Sequence, residues 1–112
     1  MIDIDEVLTD STYLIMLALL KPQHGYAIMK EVSELTEQRF EIGPASMYTI
    51  LKKLVNAQWI ELEENSDRKK IYRITDEGIA ILRNEIQRRK IFYQAGEDRL
   101  SRYNEEKREE EQ

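Results

Sequence analysis

The sequence predicts a mainly α-helical fold with one small β-hairpin. Three segments before residue 58 carry apolar residues at helical spacing, and two short segments after it alternate apolar and polar residues. A last helical segment begins at Thr75 and runs past residue 100. We therefore expect one domain over residues 1–75 with an N-terminal arm at 1–8, a helix over 76–104, and a charged tail at 105–112 that frays.

The charge distribution leaves DNA binding possible although the chain is acidic, with a formal net charge of -5 over 112 residues. Residues 1–23 contain four acids and one lysine, residues 24–74 eight acids and eight bases, and residues 75–112 ten acids and eight bases. Phosphate binding requires local Lys and Arg, which the neutral middle of the chain supplies. The absence of cysteine excludes disulfides and thiol chemistry.

The residue types for catalysis are missing. The chain has one histidine, no Gly-rich phosphate loop and no convergent pair of acids, so we expect no enzyme, no cofactor and no metal site. His24 stands at a helix start, where its ring is expected to cap or pack. The longest apolar run, residues 13–20, is too short to cross a bilayer and follows an acidic stretch, so we expect a cytoplasmic protein without a membrane partner.

Two helices open the domain. The first is predicted from Thr12 to Lys21, is apolar on nearly all sides, and is ended by Pro22. The second is predicted from His24 to about Thr36. Its inward stripe at helical spacing consists of Ile28, Met29, Val32 and Leu35.

The third helix, from about Ala45 to Ala57, presents a face suited to DNA. At ~100° per residue, Met47, Leu51 and Leu54 share the inward side. No acid occurs between Ser46 and Asn56, whereas an ordinary solvated helix usually mixes both charge signs. Hydroxyl, amide and ammonium groups bond base edges and phosphates. The outward residues are Ala45, Thr49, Lys52 and Asn56, flanked by Ser46 and Lys53 on one side and Tyr48 on the other.

A β-hairpin follows, because residues 59–63 and 70–74 alternate and the polar Asn65-Ser66-Asp67 separates them. The second half of the hairpin is basic, with Arg68, Lys69, Lys70 and Arg73 within six residues, and either a DNA-contacting wing or a solvated turn explains this cluster. The acids Glu61, Glu63 and Glu64 must then point away from phosphate. The order of elements predicts a winged helix-turn-helix followed by a long C-terminal dimerisation helix.

The last helix carries a heptad seam that predicts a homodimer. Its positions are Ile79, Leu82, Ile86, Arg89, Tyr93, Gly96, Leu100 and Tyr103. Packing on the chain's own core explains Ile79 and Leu82 but not the stretch from Tyr93 to Tyr103. We expect this seam to form the dimer interface together with the N-terminal Ile2, Ile4, Val7 and Leu8.

Several motifs resemble the PadR-like transcription regulators over about residues 12–83. They are His24-Gly25-Tyr26, Met47-Tyr48, Leu51-Lys52-Lys53-Leu54, Trp59-Ile60, Lys69-Lys70-Ile71-Tyr72-Arg73-Ile74-Thr75 and Gly78. The resemblance implies a homodimeric repressor that binds an inverted-repeat operator and is released by a ligand or another signal. It also implies DNA contacts from Tyr26, Ser46, Tyr48, Thr49, Lys52, Lys53, Lys69 and Lys70.

The resemblance further implies a compact subgroup, some of whose members bind flat aromatic ligands at the seam. Here Arg89, Phe92, Tyr93 and Tyr103 are available to a small aromatic or anionic effector.

Three positions depart from the family pattern. Ala45 and Gln58 replace customary glycines, and the wing has Ser66-Asp67-Arg68 without its usual glycines. The glycine-poor wing and the acidic charge favour an alternative function, a winged-helix module that binds protein without specific DNA binding.

Overall fold

The structure, a computed structural model, describes residues 7–63 and 70–111. In chain order its elements are α1 (Asp10–Ala18), β1 (Gln23–His24), α2 (Gly25–Leu35), α3 (Pro44–Asn56), β2 (Ile60–Glu63), β3 (Ile71–Ile74) and α4 (Asp76–Glu111). The predicted mainly helical winged-helix fold is confirmed.

Helix α1 lies at the centre of the core, as its apolar sequence predicts. Thr9 is its N-cap, and the Thr9 hydroxyl oxygen accepts the Thr12 backbone N–H at 3.2 Å. Ile15 and Met16 are fully buried, together with residues of α2 and α3 such as Ile28 and Met47. The helix ends at Ala18, earlier than predicted, because Pro22 disfavours helical backbone ahead of it and the Gln23 side chain donates to the Ala18 carbonyl.

Helices α2 and α3 both end in a Schellman motif, in which two backbone amides turn back onto the last helical turn. At the end of α3, the Gln58 N–H donates to the Val55 carbonyl at 3.0 Å and the Trp59 N–H to the Leu54 carbonyl at 3.1 Å. Leu35, predicted to point inward, is 51% exposed because it is the last residue of α2, where the chain already turns away.

The sheet has three antiparallel strands in the order β1-β3-β2. The predicted pairing of residues 59–63 with 70–74 is confirmed, with Leu62 opposite Tyr72. Strand β1 was not predicted, because two residues carry no alternation that a sequence pattern can detect. His24 belongs to this strand, pairs with Ile71, and makes no side-chain capping bond to α2.

Helix α4 starts against the end of α3 and then leaves the core. Thr75 is its predicted N-cap, and the Thr75 hydroxyl accepts the Gly78 N–H at 3.1 Å and donates to the Gln58 carbonyl at 2.8 Å. Gly78 is required here, because a Cβ at this position would overlap the Trp59 carbonyl. The helix continues to Glu111, although fraying was expected from Glu105, since Glu, Arg and Lys are strong helix formers.

Candidate nucleic-acid interface

Helix α3 is anchored by the three residues that its periodicity placed inward. Met47, Leu51 and Leu54 are all buried in the shared core of the three helices. Since these residues fix the rotation of α3 about its axis, the opposite side must face solvent. The structure confirms this orientation: Ala45, Ser46, Thr49, Lys52, Lys53 and Asn56 are exposed.

The exposed face of α3 offers cationic and hydroxyl groups and no carboxylate. The Thr49 hydroxyl donates to the Ala45 carbonyl at 2.9 Å, so its lone pairs remain free to accept a bond from outside. No acidic residue occupies the first turn, and the N-cap Gly43 has no side chain to satisfy the first amides. The positive end of the helix dipole is therefore left open to an anion.

Two tyrosines lie where α2 begins and α3 passes. Tyr48 is 49% exposed and packs against Gly25, where a Cβ would stand 2.5 Å from the Tyr48 hydroxyl oxygen. Burial and the nearby Tyr48 raise the pKa of Tyr72. Tyr26 is 73% exposed. Both phenols thus lie on the surface of the domain, and the glycine of the His-Gly-Tyr motif makes room for one of them.

On the described strands of the hairpin, the basic residue Arg73 is paired with acids. Arg73 on β3 lies 2.8 Å from the Glu61 carboxylate and 3.3 Å from that of Glu63, both on β2. The positive charge of Arg73 on β3 is therefore neutralised by the two carboxylates of β2. Lys70 is exposed. The predicted DNA contacts Arg68 and Lys69 lie outside the described residues.

The predicted dimer residues fall into two groups. Ile86, Tyr93, Leu100 and Tyr103 are 43–66% exposed on α4. Leu8 is only 4% exposed and packs within the core of its own chain, so it offers little surface to a partner. Ile4 lies outside the described residues.

Glu85 is a fully buried carboxylate that sequence reasoning missed. It accepts the Leu8 backbone N–H at 3.2 Å, the Arg88 side chain at 2.9 and 3.1 Å, and Arg89 Nε at 2.6 Å. Burial by itself would raise the pKa of this carboxyl, but the bonds from Arg88, Leu8 and Arg89 outweigh it and lower the pKa. A signal was present, because Glu85 follows Ile81 by four residues on the buried stripe of α4.

Arg89 completes this cluster and ties α4 to the start of α1. Its Nη2 lies 2.9 Å from the Asp10 carboxylate and donates to the Leu8 carbonyl at 3.3 Å. The guanidinium also stacks over the Tyr13 ring at 4.1 Å. Sequence analysis assigned Arg89 to the dimer seam and to an effector site, but this side chain is already engaged by its own chain.

The family model described as transcriptional regulator PadR-like family matches residues 14–84, more than half of the chain. The chain belongs to the PadR-like family. A Lysinibacillus sphaericus protein named uncharacterized protein X is 33% identical over 73 residues, which span 62% of this chain and 67% of that protein.

Solved structures of PadR-like regulators have the same fold. A PadR family transcription regulator from Clostridium difficile superposes with a TM-score of 0.73 at 24% identity, over 82% of this chain and 99% of that one. A PadR family regulator from Eggerthella lenta gives a TM-score of 0.59 at 28% identity, over 79% of this chain and 74% of that one.

Membership fixes the general function. This PadR-like protein is a DNA-binding transcription regulator and not an enzyme. Within residues 7–63 and 70–111, no cluster of three or more acidic or histidine side chains is placed to hold a metal ion. No helix in the same ranges is both long and apolar enough to span a bilayer.

Proposed function

We propose that this PadR-like protein is a homodimeric repressor that inserts α3 into the major groove of an inverted-repeat operator. The observation that carries the proposal is the exposed face of α3, which is free of acids while its opposite side is locked into the core. A recognition helix needs such rigidity, because base-edge contacts depend on a fixed side-chain position.

One copy supplies too little positive charge for tight binding. On α3 only Lys52 and Lys53 are cationic. The exposed Lys70 beside β3 adds one more charge, and the paired Arg73 adds little. Since each neutralised phosphate contributes separately to affinity, two copies on one operator double the number of contacts. The apolar and aromatic residues exposed on α4 supply a surface for pairing two copies.

The test is DNA binding as a function of salt concentration, with sites selected from random DNA. Wild-type protein should lose affinity steeply as salt rises. Lys52→Ala should reduce the slope by about 1 for each copy bound, because one phosphate contact per copy is lost. Lys90→Ala removes an equally exposed charge from α4 and should leave the slope unchanged.

The competing function is a winged-helix module that binds protein and does not bind a specific DNA sequence. The pairing of Arg73 with Glu61 and Glu63 favours it, because it removes charge from the wing. Two results together would support this alternative. No DNA sequence would be selected, and the affinity of Lys52→Ala for DNA would depend on salt as that of wild type does.

We also propose that a flat aromatic effector binds at the α4 seam against Phe92 and Tyr93. Arg88 already covers the Phe92 ring at 4.8 Å, so a cationic group is available beside an aromatic surface. Arg89 would have to leave Glu85 and Asp10 to take part. Aromatic compounds that release DNA from wild type but not from Tyr93→Ser would support this site.

A further inference from the structure

A groove of about 780 Å³ runs along one flank of α3, between that helix and the segment that leads into α1. Its walls come from α3 on one side and from five residues at the start of the described chain on the other, and Trp59 also lines it; the five are Val7, Leu8, Thr9, Ser11 and Thr12. Sites for small organic molecules typically enclose about 300–1,000 Å³, so the groove is large enough for one. It lies away from the exposed α4 residues.

The lining of the groove is largely apolar. Val7, Ile50, Leu54 and Trp59 give it an apolar lining. Two of its hydroxyls already donate within the chain, since Thr9 donates to Thr12 at 3.0 Å and Thr49 donates to the Ala45 carbonyl at 2.9 Å.

Of the residues that the structure describes, Lys53 is the only charged one that lines the groove. Among the described residues it has no ion-pair partner, and no carboxylate lies in the lining to neutralise it. An apolar surface of this size beside a free ammonium matches a molecule with a hydrophobic body and an anionic end.

We propose that this groove binds an amphipathic anion, an aryl or alkyl carboxylate or sulfonate. Its apolar part would lie over Leu54 and Trp59, and its anionic group would pair with Lys53. Lys53 also belongs to the exposed face of α3. If α3 binds DNA as proposed above, the anion and a DNA phosphate compete for the same ammonium. Such a ligand would release DNA directly, without any change at the dimer seam.

The single tryptophan makes the groove measurable. We would titrate the full-length protein with anilinonaphthalene sulfonate and follow energy transfer from Trp59 to the bound probe. Lys53→Ala should weaken binding roughly three- to five-fold, the effect of losing a partly exposed ion pair. Lys52→Ala removes the neighbouring charge, which does not line the groove, and should leave probe affinity unchanged. Both side chains are exposed, so neither change disturbs the core.

The uncharged analogue phenylnaphthylamine separates the two parts of the site. It should bind wild type and Lys53→Ala equally, because it has no group to pair with the ammonium. The proposal would be overturned if Lys52→Ala and Lys53→Ala lowered the affinity for the sulfonate probe equally. It would also be overturned if no energy were transferred from Trp59 to the probe. Loss of the probe in Tyr93→Ser but not in Lys53→Ala would also overturn it, by placing the probe at the seam.

Two further outcomes distinguish this proposal from the proposed function. Selected operator DNA should displace the probe from wild type, and DNA that binds without displacing it would refute the competition. If the protein binds no DNA but its affinity for the probe still depends on Lys53, the proposed function is wrong and the proposed ligand site is supported. Expulsion of the probe as the protein dimerises would show that a second copy covers the groove, against the proposal.

Discussion

Gln58 is a single residue at which this chain departs from the family pattern, because it stands where glycine is customary. It follows the end of α3 with φ of 66°, in the left-handed region that favours glycine. Its backbone closes the Schellman motif, and its carbonyl accepts the Thr75 hydroxyl that begins α4. The family's customary glycine thus has a conformational reason, and Gln58 retains the conformation at an energetic cost.

Gln58→Gly should therefore stabilise the protein, by roughly 0.5–1 kcal/mol after the extra entropy of glycine in the unfolded chain is subtracted. Urea denaturation monitored by circular dichroism measures the change. Gln87→Gly, at an exposed position inside α4, is the matched control and should destabilise by about 1 kcal/mol. A loss of stability in Gln58→Gly would contradict this account.

Glu85 matters at the same scale, because its buried carboxylate accepts four hydrogen bonds from three residues, Leu8, Arg88 and Arg89. Glu85→Gln should lower the free energy of unfolding by about 2–4 kcal/mol at neutral pH, since Arg88 and Arg89 lose their buried partner. The pKa of Glu85 is lowered in the folded state, so its contribution is present above the ordinary value and is lost as pH falls through the folded pKa.

The difference between wild type and Glu85→Gln should therefore narrow as pH drops below 4.5, the ordinary value for this group. Denaturation curves recorded across this pH range provide the measurement. Glu105→Gln alters an exposed carboxyl on the same helix and should have little effect at any pH. A difference that stays constant with pH would show that the cluster acts through packing alone.

At the scale of elements, the two halves of α4 have different surroundings. Up to Glu85 it is packed on the core, whereas all residues from 90 to 111 are exposed. A helix rarely leaves aromatic and aliphatic residues at heptad spacing in water, because their burial is worth about 1.5–3 kcal/mol each. The second half of α4 is thus the surface that we propose pairs two copies.

Leu100→Glu should convert the protein from a dimer into a monomer of 13.4 kDa, since it puts a charge into the exposed apolar part of the seam. Sedimentation equilibrium at micromolar concentration tests this. Ser101→Glu adds the same charge one position off the seam and should remain dimeric. A wild-type protein that sediments as a monomer would rule out the seam.

The whole molecule is elongated because α4 projects from the domain. Its radius of gyration is 18.2 Å, against about 13 Å for a compact chain of this length, and its longest dimension is 70 Å. Glu85 and Arg89 hold the base of this helix to the first turn of α1, so α4 leaves the domain at a fixed angle. In a dimer paired through α4, that angle would set the distance between the two copies of α3.

DNA selected in vitro should accordingly contain inverted repeats whose half-site centres lie about one helical turn, ~34 Å, apart. Inserting about five base pairs between the half-sites turns the second one to the opposite side of the duplex and should lower affinity at least about ten-fold. Fluorescence anisotropy measures both affinities. Tolerance of the insertion would mean that the two reading helices are not rigidly connected.

The sequence by itself determined the order of the four helices and the hairpin and the orientation of α3. Met47, Leu51 and Leu54 recur at helical spacing, and burial of that stripe leaves only one side for Thr49, Lys52 and Lys53. Alternation over residues 59–63 and 70–74 likewise defined the hairpin. These features are local, because the period of apolar residues reports which face is buried whatever covers it.

Only the tertiary structure decided which distant groups meet. Arg73 is neutralised by Glu61 and Glu63, Glu85 binds the amide of a residue 77 positions away, and Lys53 faces a groove walled by the segment before α1. A periodicity cannot identify such partners, since it says that a residue is covered and not what covers it. The pairing of charges and the groove beside α3 therefore follow from the fold and not from the sequence pattern.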